Sequence, residues 1–482
     1  MNRKLLINIL SKMMLVEAAL LLPPALVSII YCEWRALFSF LAVIGIILGI
    51  FIPLSKFITP EKNSLYAKGG LVTVALAWIL WSLFGALPFY FEGCIPSYID
   101  ALFETVSGFT TTGATILNDV EVIPYGMLFW RSFTHWIGGM GVLVFVMAII
   151  PLAEGHSLHL MKAEVPGPTV GKLVPKGKST AKILYLIYIA MTIIQIIMLC
   201  LGDMPLFDSI IHSFSTAGTG GFSCKNASLA AYNSPYIEYV CATFMLLFGV
   251  NFNIYYFILI GKLKNVFKDS EWKVYLFIII ASSAIIVGSS YQLYGILPDN
   301  IRTSVFQVIS YITTTGFCTI DQNILPELPK MILLMLMVIG GCAGSTAGGM
   351  KVSRIMLMFK NAGLEIKKML HPKTVNVVKL DGKIVPENTI DGLQGYFAVY
   401  IIGIILSVLV ISINGFDFET TFSSVLTTIN NVGPGLGKAS ATFSCFSSFS
   451  KLIFCFIMLL GRLEFFPMLM IFSRSVWKKK FF

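Results

Sequence analysis

Four times along the chain, a partly apolar segment of about 12 residues lies ahead of a glycine-centred turn and a longer apolar stretch. At helical rise such a segment is about 18 Å long, too short to cross a hydrocarbon core of about 30 Å. It must enter and leave a membrane on the same side. Backbone at that depth is tolerated only against protein or a water-filled cavity. The half-spans are 98–110, 206–217, 302–313 and 418–429, and the turns after them read TTTGAT, AGTGGF, TTTGFC and NNVGPG. Their aligned glycines, Gly113, Gly220, Gly316 and Gly433, stand about 107, 96 and 117 residues apart, the mark of an internal repeat.

The rest of the chain supplies the frame. With 56% hydrophobic and 12% charged residues, and apolar runs of spanning length along it, the chain reads as a polytopic membrane protein. Ten full spans are expected: 6–31, 37–58, 70–91, 125–151, 181–202, 236–261, 272–295, 330–360 (broken), 393–414 and 448–475. The first follows Asn2, Arg3 and Lys4 but runs past Pro23 and Pro24 without a small-residue cleavage site, so it reads as a retained helix. The expected fold class is an all-α membrane protein with four parallel helix–pore-helix–helix repeats around a pseudo-fourfold pore, plus an N-terminal two-helix hairpin. The units are 1–66 (hairpin), 67–160, 161–268, 269–388 (with an intramembrane loop and a connector) and 389–482.

The net charge of +10 is not spread as in a nucleic-acid binder. Lys and Arg collect in alternate loops (Lys56–Lys68, Lys162–Lys182, Lys262–Lys273, Lys351–Lys383, Arg474–Lys480), and acidic residues such as Glu92, Asp119, Glu121, Asp203, Asp299, Asp321 and Glu327 hold the others. The positive-inside rule then places both termini in the cytoplasm and gives every repeat the same orientation. Inverted repeats, common in secondary transporters, would need an odd number of crossings per unit. Nine scattered cysteines without a CxxC pair read as small buried hydrophobes, and five histidines show no metal-ligand spacing. With no nucleophile–base pair and no nucleotide motif, neither an enzyme nor a nucleotide-binding chain is expected.

A dehydrated alkali cation needs oxygens in place of its water, and rings of backbone carbonyls supply them. Glycine lets successive carbonyls face one axis. The candidate filter is therefore Thr111, Thr112 and Gly113; Gly218, Thr219 and Gly220; Thr314, Thr315 and Gly316; and Asn431, Val432 and Gly433. Thr111 and Thr112 are also expected among the ligands of the metal ion. Each half-helix aims its C-terminus, the negative pole of its dipole, at the turn. Asp100, Asp208 and Asp417 near the half-helix starts are expected to cap free N–H groups and make the outer mouth acidic. Any one turn alone would also read as an ordinary glycine loop; four equivalent copies favour the ring.

A second level lies about 28 or 29 residues beyond each filter glycine: Gly138, Gly139 and Gly141; Gly249 with Asn251 and Asn253; the run Gly340–Gly349; and Gly461 with Arg462. The third copy, GGCAGSTAGG, comprises Gly340, Gly341, Cys342, Ala343, Gly344, Ser345, Thr346, Ala347, Gly348 and Gly349, and disfavours a continuous helix. It reads either as a small-residue packing patch or as a loop across the pore that gates it. Arg462 reads either as snorkelling or paired with Glu464, or as a pore-facing cation, and its depth at the level of the glycine loop favours the pore-facing, gating role. Arg131, His135 and Trp136 read as interfacial anchors, and Glu17 as locally paired.

TTTGAT, HWIGGMGVLVF (135–145), GGCAGSTAGGMK (340–351), NNVGPGLG (430–437) and GRLEFFP (461–467) together resemble the Trk/Ktr/HKT superfamily of potassium transporters, over essentially the whole chain. The two extra N-terminal spans are most similar to its bacterial TrkH/TrkG branch. The resemblance implies a potassium filter at the glycines, a gating role for the Gly340–Gly349 run and homodimerisation. It also implies a cytosolic nucleotide-binding TrkA-type partner. In this superfamily a serine at the first filter position accompanies sodium transport, so Gly113 favours potassium. The expected function is K⁺ uptake across the bacterial inner membrane. The alternative is an ion-coupled secondary transporter (K⁺/H⁺ or K⁺/Na⁺ symport, or a small organic substrate). The span centres, however, nearly lack the carboxylates and histidines a coupled carrier uses. Basic loops 162–182 and 351–383 are candidate docking surfaces.

Overall fold

A computed structural model of the chain describes residues 3–58, 67–141, 177–291, 297–372, 376–463 and 465–477. The described residues are overwhelmingly helical, and the protein is an all-α membrane protein. The N-terminal hairpin pairs Arg3–Leu20, prolonged by Leu22–Ile30, with Trp34–Phe57. The joint falls where Pro23 and Pro24 enter the first turn of Leu22–Ile30, the helical position that tolerates proline. The hairpin is tied down at both ends. The Asn8 amide donates to the Ser55 and Ile58 carbonyls (2.9 and 2.8 Å), and the Glu33 carboxylate accepts from the Tyr125 and Gly126 N–H groups (2.7 and 2.9 Å).

The rest of the chain repeats one plan. An outer helix (Ala67–Gly85, Gly177–Cys200, Glu271–Ser289, Glu387–Ile411) is followed by a pore helix (Tyr98–Phe109, Leu206–Gly218, Leu297–Ile312, Phe418–Asn430). The filter turn comes next, then an inner helix (Tyr125–Gly139, Pro235–Phe248, Glu327–Ile339, Ser448–Leu463). The third inner span is broken as expected, and the second, expected as one span over 236–261, is bent; the first beyond residue 141 lies outside the described residues. Among the described residues six helices are long and apolar enough to cross a membrane, seven if the bent pair Pro235–Phe248 and Phe252–Leu259 counts as one. The second inner helix ends at Gly249, ahead of Asn251, and the third at Gly340, whereas the fourth continues through Gly461 to Leu463. The second turns by 90° between Phe248 and Phe252.

Two buried apolar clusters hold this frame. One joins the hairpin to the first and fourth repeats through residues such as Phe40, Trp81, Phe109, Trp130 and Phe454. The other joins the second and third through Tyr188, Phe248, Tyr275, Phe306 and Tyr311. The connector after the third repeat is partly ordered. Val352–Leu370 is one helix, and Lys379–Leu380 pairs with Lys383–Ile384 in a short antiparallel hairpin. Asp381 in that hairpin accepts from Ser270 N–H and Oγ (2.9 and 2.6 Å), at the start of the third outer helix.

Pore-helix capping departs from expectation. Only Asp417 of the three named aspartates caps a helix, accepting the Thr420 N–H at 2.9 Å. Ser97 caps the first pore helix, leaving Asp100 to pair with Lys451 Nζ (2.7 Å), while Asp208 accepts the Tyr232 hydroxyl (2.6 Å).

Candidate ion-conducting site

Each pore helix ends in the same local geometry. Thr111, Thr219, Thr314 and Asn431 all take left-handed backbone, with φ of 54°, 55°, 55° and 55°. Their N–H groups donate to the carbonyls three residues back (Gly108, Thr216, Tyr311, Thr428). The next residues, Thr112, Gly220, Thr315 and Val432, donate five back, to Ser107, Ser215, Ser310 and Thr427. These bonds satisfy helix-end carbonyls and hold the turn in shape.

This pattern corrects the expected register of the second copy. The glycine two residues beyond the left-handed position is Gly113, Gly316 or Gly433 in three copies, with φ of 79°, 81° and 107°; in the second it is Gly221, with φ of 75°, and not Gly220. AGTGGF offers two adjacent glycines, and the backbone conformation chooses the later one. Gly220 thus corresponds to Thr112, Thr315 and Val432, and Gly218 to Thr110.

The four strands close on one another in a ring. A Cβ added to Gly113 would collide with the Gly220 carbonyl oxygen, one on Gly221 with that of Thr315, and one on Gly316 with that of Val432. One on Gly433 would lie 2.7 Å from that of Thr112. Each glycine therefore abuts the carbonyl preceding the next glycine, in the order first, second, third, fourth and back to first. All four glycines also floor one vestibule of about 670 Å³. Asp321 lines it, but so do Arg131 and Lys225, so its rim is less acidic than expected. Asp119, beside it, is held below the usual carboxylate range by the Asn226 amide and the Glu121 N–H.

Side chains fasten the strands from behind. The Thr110 and Thr112 hydroxyls lie 2.8 Å apart, as do those of Thr313 and Thr315. The Asn431 amide donates to Thr112 Oγ1 (2.9 Å) and to the Met458 carbonyl (3.0 Å). The expected anchoring role of Arg131 and His135 is overturned: both are buried, and Trp136 is half-buried. Arg131 Nε donates to Glu104 Oε1 at 2.6 Å, and its Nη1 donates to the Ser223 carbonyl at 2.9 Å. Glu104 also accepts from Thr115 Oγ1 (2.9 Å) and Ile116 N–H (3.0 Å). Glu17 is buried with no hydrogen-bond partner for either oxygen among the described residues, against the expected local pair.

Below the ring the second level is closed. Gly340, Gly344 and Gly349, with φ near 72–73°, let the 340–349 run double back instead of continuing as helix. The Cys342 N–H donates to the Gly249 carbonyl (2.9 Å), and the Gly344 carbonyl accepts the Phe252 N–H (3.1 Å). Gly341 accepts from Val352 N–H (3.0 Å), and Ser345 Oγ donates to the Cys342 carbonyl (2.6 Å). Thr346 Oγ1 donates to Phe248 O (3.3 Å), Gly348 N–H to Thr314 Oγ1 (2.6 Å), and Gly349 N–H to Asn430 O (3.1 Å). The Lys351 ammonium donates to the Ala347 carbonyl. Glu271 clamps both ends of the run, its Oε1 accepting the N–H groups of Ala343 (2.7 Å) and Ser353 (2.9 Å).

Arg462 reaches across to this loop. Its guanidinium donates to the carbonyls of Thr346 (2.8 Å), Gly138 (2.5 Å) and Gly139 (3.2 Å), joining the fourth inner helix to the loop and to the end of the first inner helix. The space among Ala347, Gly348, Asn431, Gly461 and Arg462 amounts to about 10 Å³, at the lower limit for one water. The sequence brought out the loop and Arg462; it missed Glu271, Lys351, Glu104 and the inward roles of Arg131 and His135. The one available signal was charge inside otherwise apolar stretches. Glu464 and the basic stretch 162–176 lie outside the described residues.

The chain is similar to known proteins along nearly its whole length. The family profile described as TrkH, cation transport protein, matches residues 40–481. The Trk system potassium uptake protein TrkH of Salmonella typhimurium is 38% identical over 87% of this chain and 88% of that protein. The TrkH protein of Halomonas elongata is 34% identical over 99% of this chain and all of its own length. The crystal structure of the potassium transporter TrkH from Vibrio parahaemolyticus superposes with a TM-score of 0.89 at 32% identity, covering 99% of this chain and 100% of that one. With the fold, the closed ring and these matches in agreement, the chain belongs to the TrkH family of cation transport proteins.

Proposed function

We propose that this chain takes up K⁺ across a bacterial inner membrane through an axial pore, with both termini cytoplasmic as the loop charges require. The carrying observation is the closed ring in which each of Gly113, Gly221, Gly316 and Gly433 abuts the carbonyl preceding the next glycine. Carbonyl oxygens in a ring replace the hydration of a bare alkali cation. The helix C-termini aimed at the ring add negative potential where the ion would lose its water. Side-chain hydrogen bonds behind the strands resist collapse onto a smaller ion.

The lower level decides passage in this reading. The 340–349 run and Arg462 fill the axis beneath the filter, and a fixed cation there opposes K⁺ electrostatically. Opening requires the loop to leave its hydrogen bonds to Gly249, Phe252, Thr314 and Asn430. The relatives' names place them in a Trk system, which supports partner subunits; in this reading the chain is a homodimer bearing a cytosolic TrkA-type nucleotide-binding subunit. The exposed lysines Lys360, Lys367, Lys368, Lys379 and Lys383, continuous with the loop, are its proposed dock. Lys351, buried in the loop, is withdrawn from that surface. Reversing the charge of Lys360, Lys367 and Lys368 together should abolish co-purification with the subunit; retained assembly would reject this dock.

The test of function is ⁸⁶Rb⁺ entry into proteoliposomes with K⁺, Na⁺ or Cs⁺ as competitors, for wild type and Gly113→Ser. Wild type should admit Rb⁺ with K⁺ competing far better than Na⁺, and Gly113→Ser should narrow that gap. Absent Rb⁺ entry, or equal competition by Na⁺, would reject the K⁺ reading.

A further inference from the structure

The second filter strand lacks a side chain that the other three possess. At the position before the filter glycine stand Thr112, Thr315 and Val432, all β-branched, but Gly220 in the second copy. Gly220 is not in left-handed backbone, so its conformation does not demand glycine. What excludes a side chain is His135. The nearest atoms to a Cβ built there are Cγ, Nδ1 and Cε1 of its imidazole, all within 2.6 Å. His135 comes from the first inner helix and is fully buried.

The same imidazole is locked from its other side. It stacks on Phe222, two residues beyond Gly220, with centroids 4.0 Å apart and planes within 17°. The Arg131 guanidinium, one helical turn before His135, lies 3.5 Å from the Phe222 centroid. Arg131 in turn holds the Ser223 carbonyl, and Glu104 holds Thr115 and Ile116 beyond Gly113. Glu104, Arg131, Phe222 and His135 thus form a buried ladder along the seam between the first and second filter strands. At that seam the Gly220 carbonyl meets Gly113.

We propose that His135 serves as the missing side chain of the second filter strand and is a selectivity-positioning residue, fixing the Gly220 carbonyl against Gly113. The inference rests on the ring being the filter. Removing the imidazole opens space behind a glycine strand, which then relaxes, because a vacated site is filled only in part by its surroundings. The consequence is loss of discrimination between ions, not merely loss of protein.

The experiment is a cycle of His135→Ala, Gly220→Thr and the double variant, read as the K⁺-over-Na⁺ preference of Rb⁺ influx into proteoliposomes at equal amounts of monodisperse protein. His135→Ala should lower the preference roughly tenfold, within the range over which touching side chains couple. Gly220→Thr should lower it as well, because the threonine meets the imidazole. The double variant, with a threonine as in the first and third strands, should recover most of it. His135→Ala with wild-type preference, or a double variant no better than the worse single one, would overturn the inference. Should His135→Ala be too poorly produced to measure, Gly220→Thr against the double variant decides, since only relief of the collision makes two changes better than one. A wild type that does not discriminate K⁺ from Na⁺ would instead reject the filter reading itself.

Discussion

Threonine is a poor choice for left-handed backbone, yet Thr111, Thr219 and Thr314 adopt it at equivalent places, with Asn431 in the fourth. A β-branched residue there is a genuine outlier, and such conformations cost about 1–3 kcal/mol each where the surroundings impose them. The cost is offset by the paired hydrogen bonds to the helix-end carbonyls and leads to strands whose next carbonyls close the ring. Arg462 shows the same logic with charge. Its three carbonyl partners belong to the loop and to the C-terminal end of the first inner helix, the negative pole of that helix dipole. Arg462→Ala removes both the tie and the positive charge beneath the filter. Rb⁺ influx should rise several-fold while the K⁺/Na⁺ preference stays unchanged, measured by the same competition assay. A shift in preference would place Arg462 in the filter and not below it.

At the scale of elements, what the sequence reveals depends on how local the cause is. The four pore helices and turns were legible because a 12-residue apolar segment cannot span a membrane and a glycine marks its end. The second-copy register was not, since two adjacent glycines look alike in sequence and the left-handed backbone of Gly221 is what tells them apart. The details of the partly ordered connector were not legible, because the stretch 363–388 shows no apolar periodicity. The burial of Arg131 and His135 was missed for a tertiary reason. Arg131 is satisfied by groups more than 25 residues away, Glu104 and Ser223, and His135 is packed across a repeat boundary against Gly220 and Phe222. The 340–349 loop was legible as an interruption. Its clamp, Glu271, sits about 70 residues earlier at the head of an outer helix and carries no local signal.

Over the whole molecule, two levels share one axis. The upper is symmetric: four turns with one hydrogen-bond pattern, each touching the next, beneath an open vestibule of about 670 Å³. The lower is asymmetric: one long loop from the third repeat, one arginine from the fourth, and helix breaks from the first and second. In the proposed reading a symmetric ring suits an ion, which has no orientation, and an asymmetric plug suits a gate that moves without disturbing the ring. Glu271 joins the plug to the third outer helix, and Asp381 joins that helix to the connector hairpin, so the plug is in contact with the face where a regulatory subunit would bind. The central claim is that the ring of Thr112, Gly220, Thr315 and Val432 carbonyls holds the ion. The most direct measurement is an anomalous difference map of crystals grown in Tl⁺ or Rb⁺. A peak on the axis within coordination distance of those four carbonyls, lost when Na⁺ replaces the heavier ion, is the predicted result. No axial peak at the ring, or one only at the vestibule rim, would contradict it.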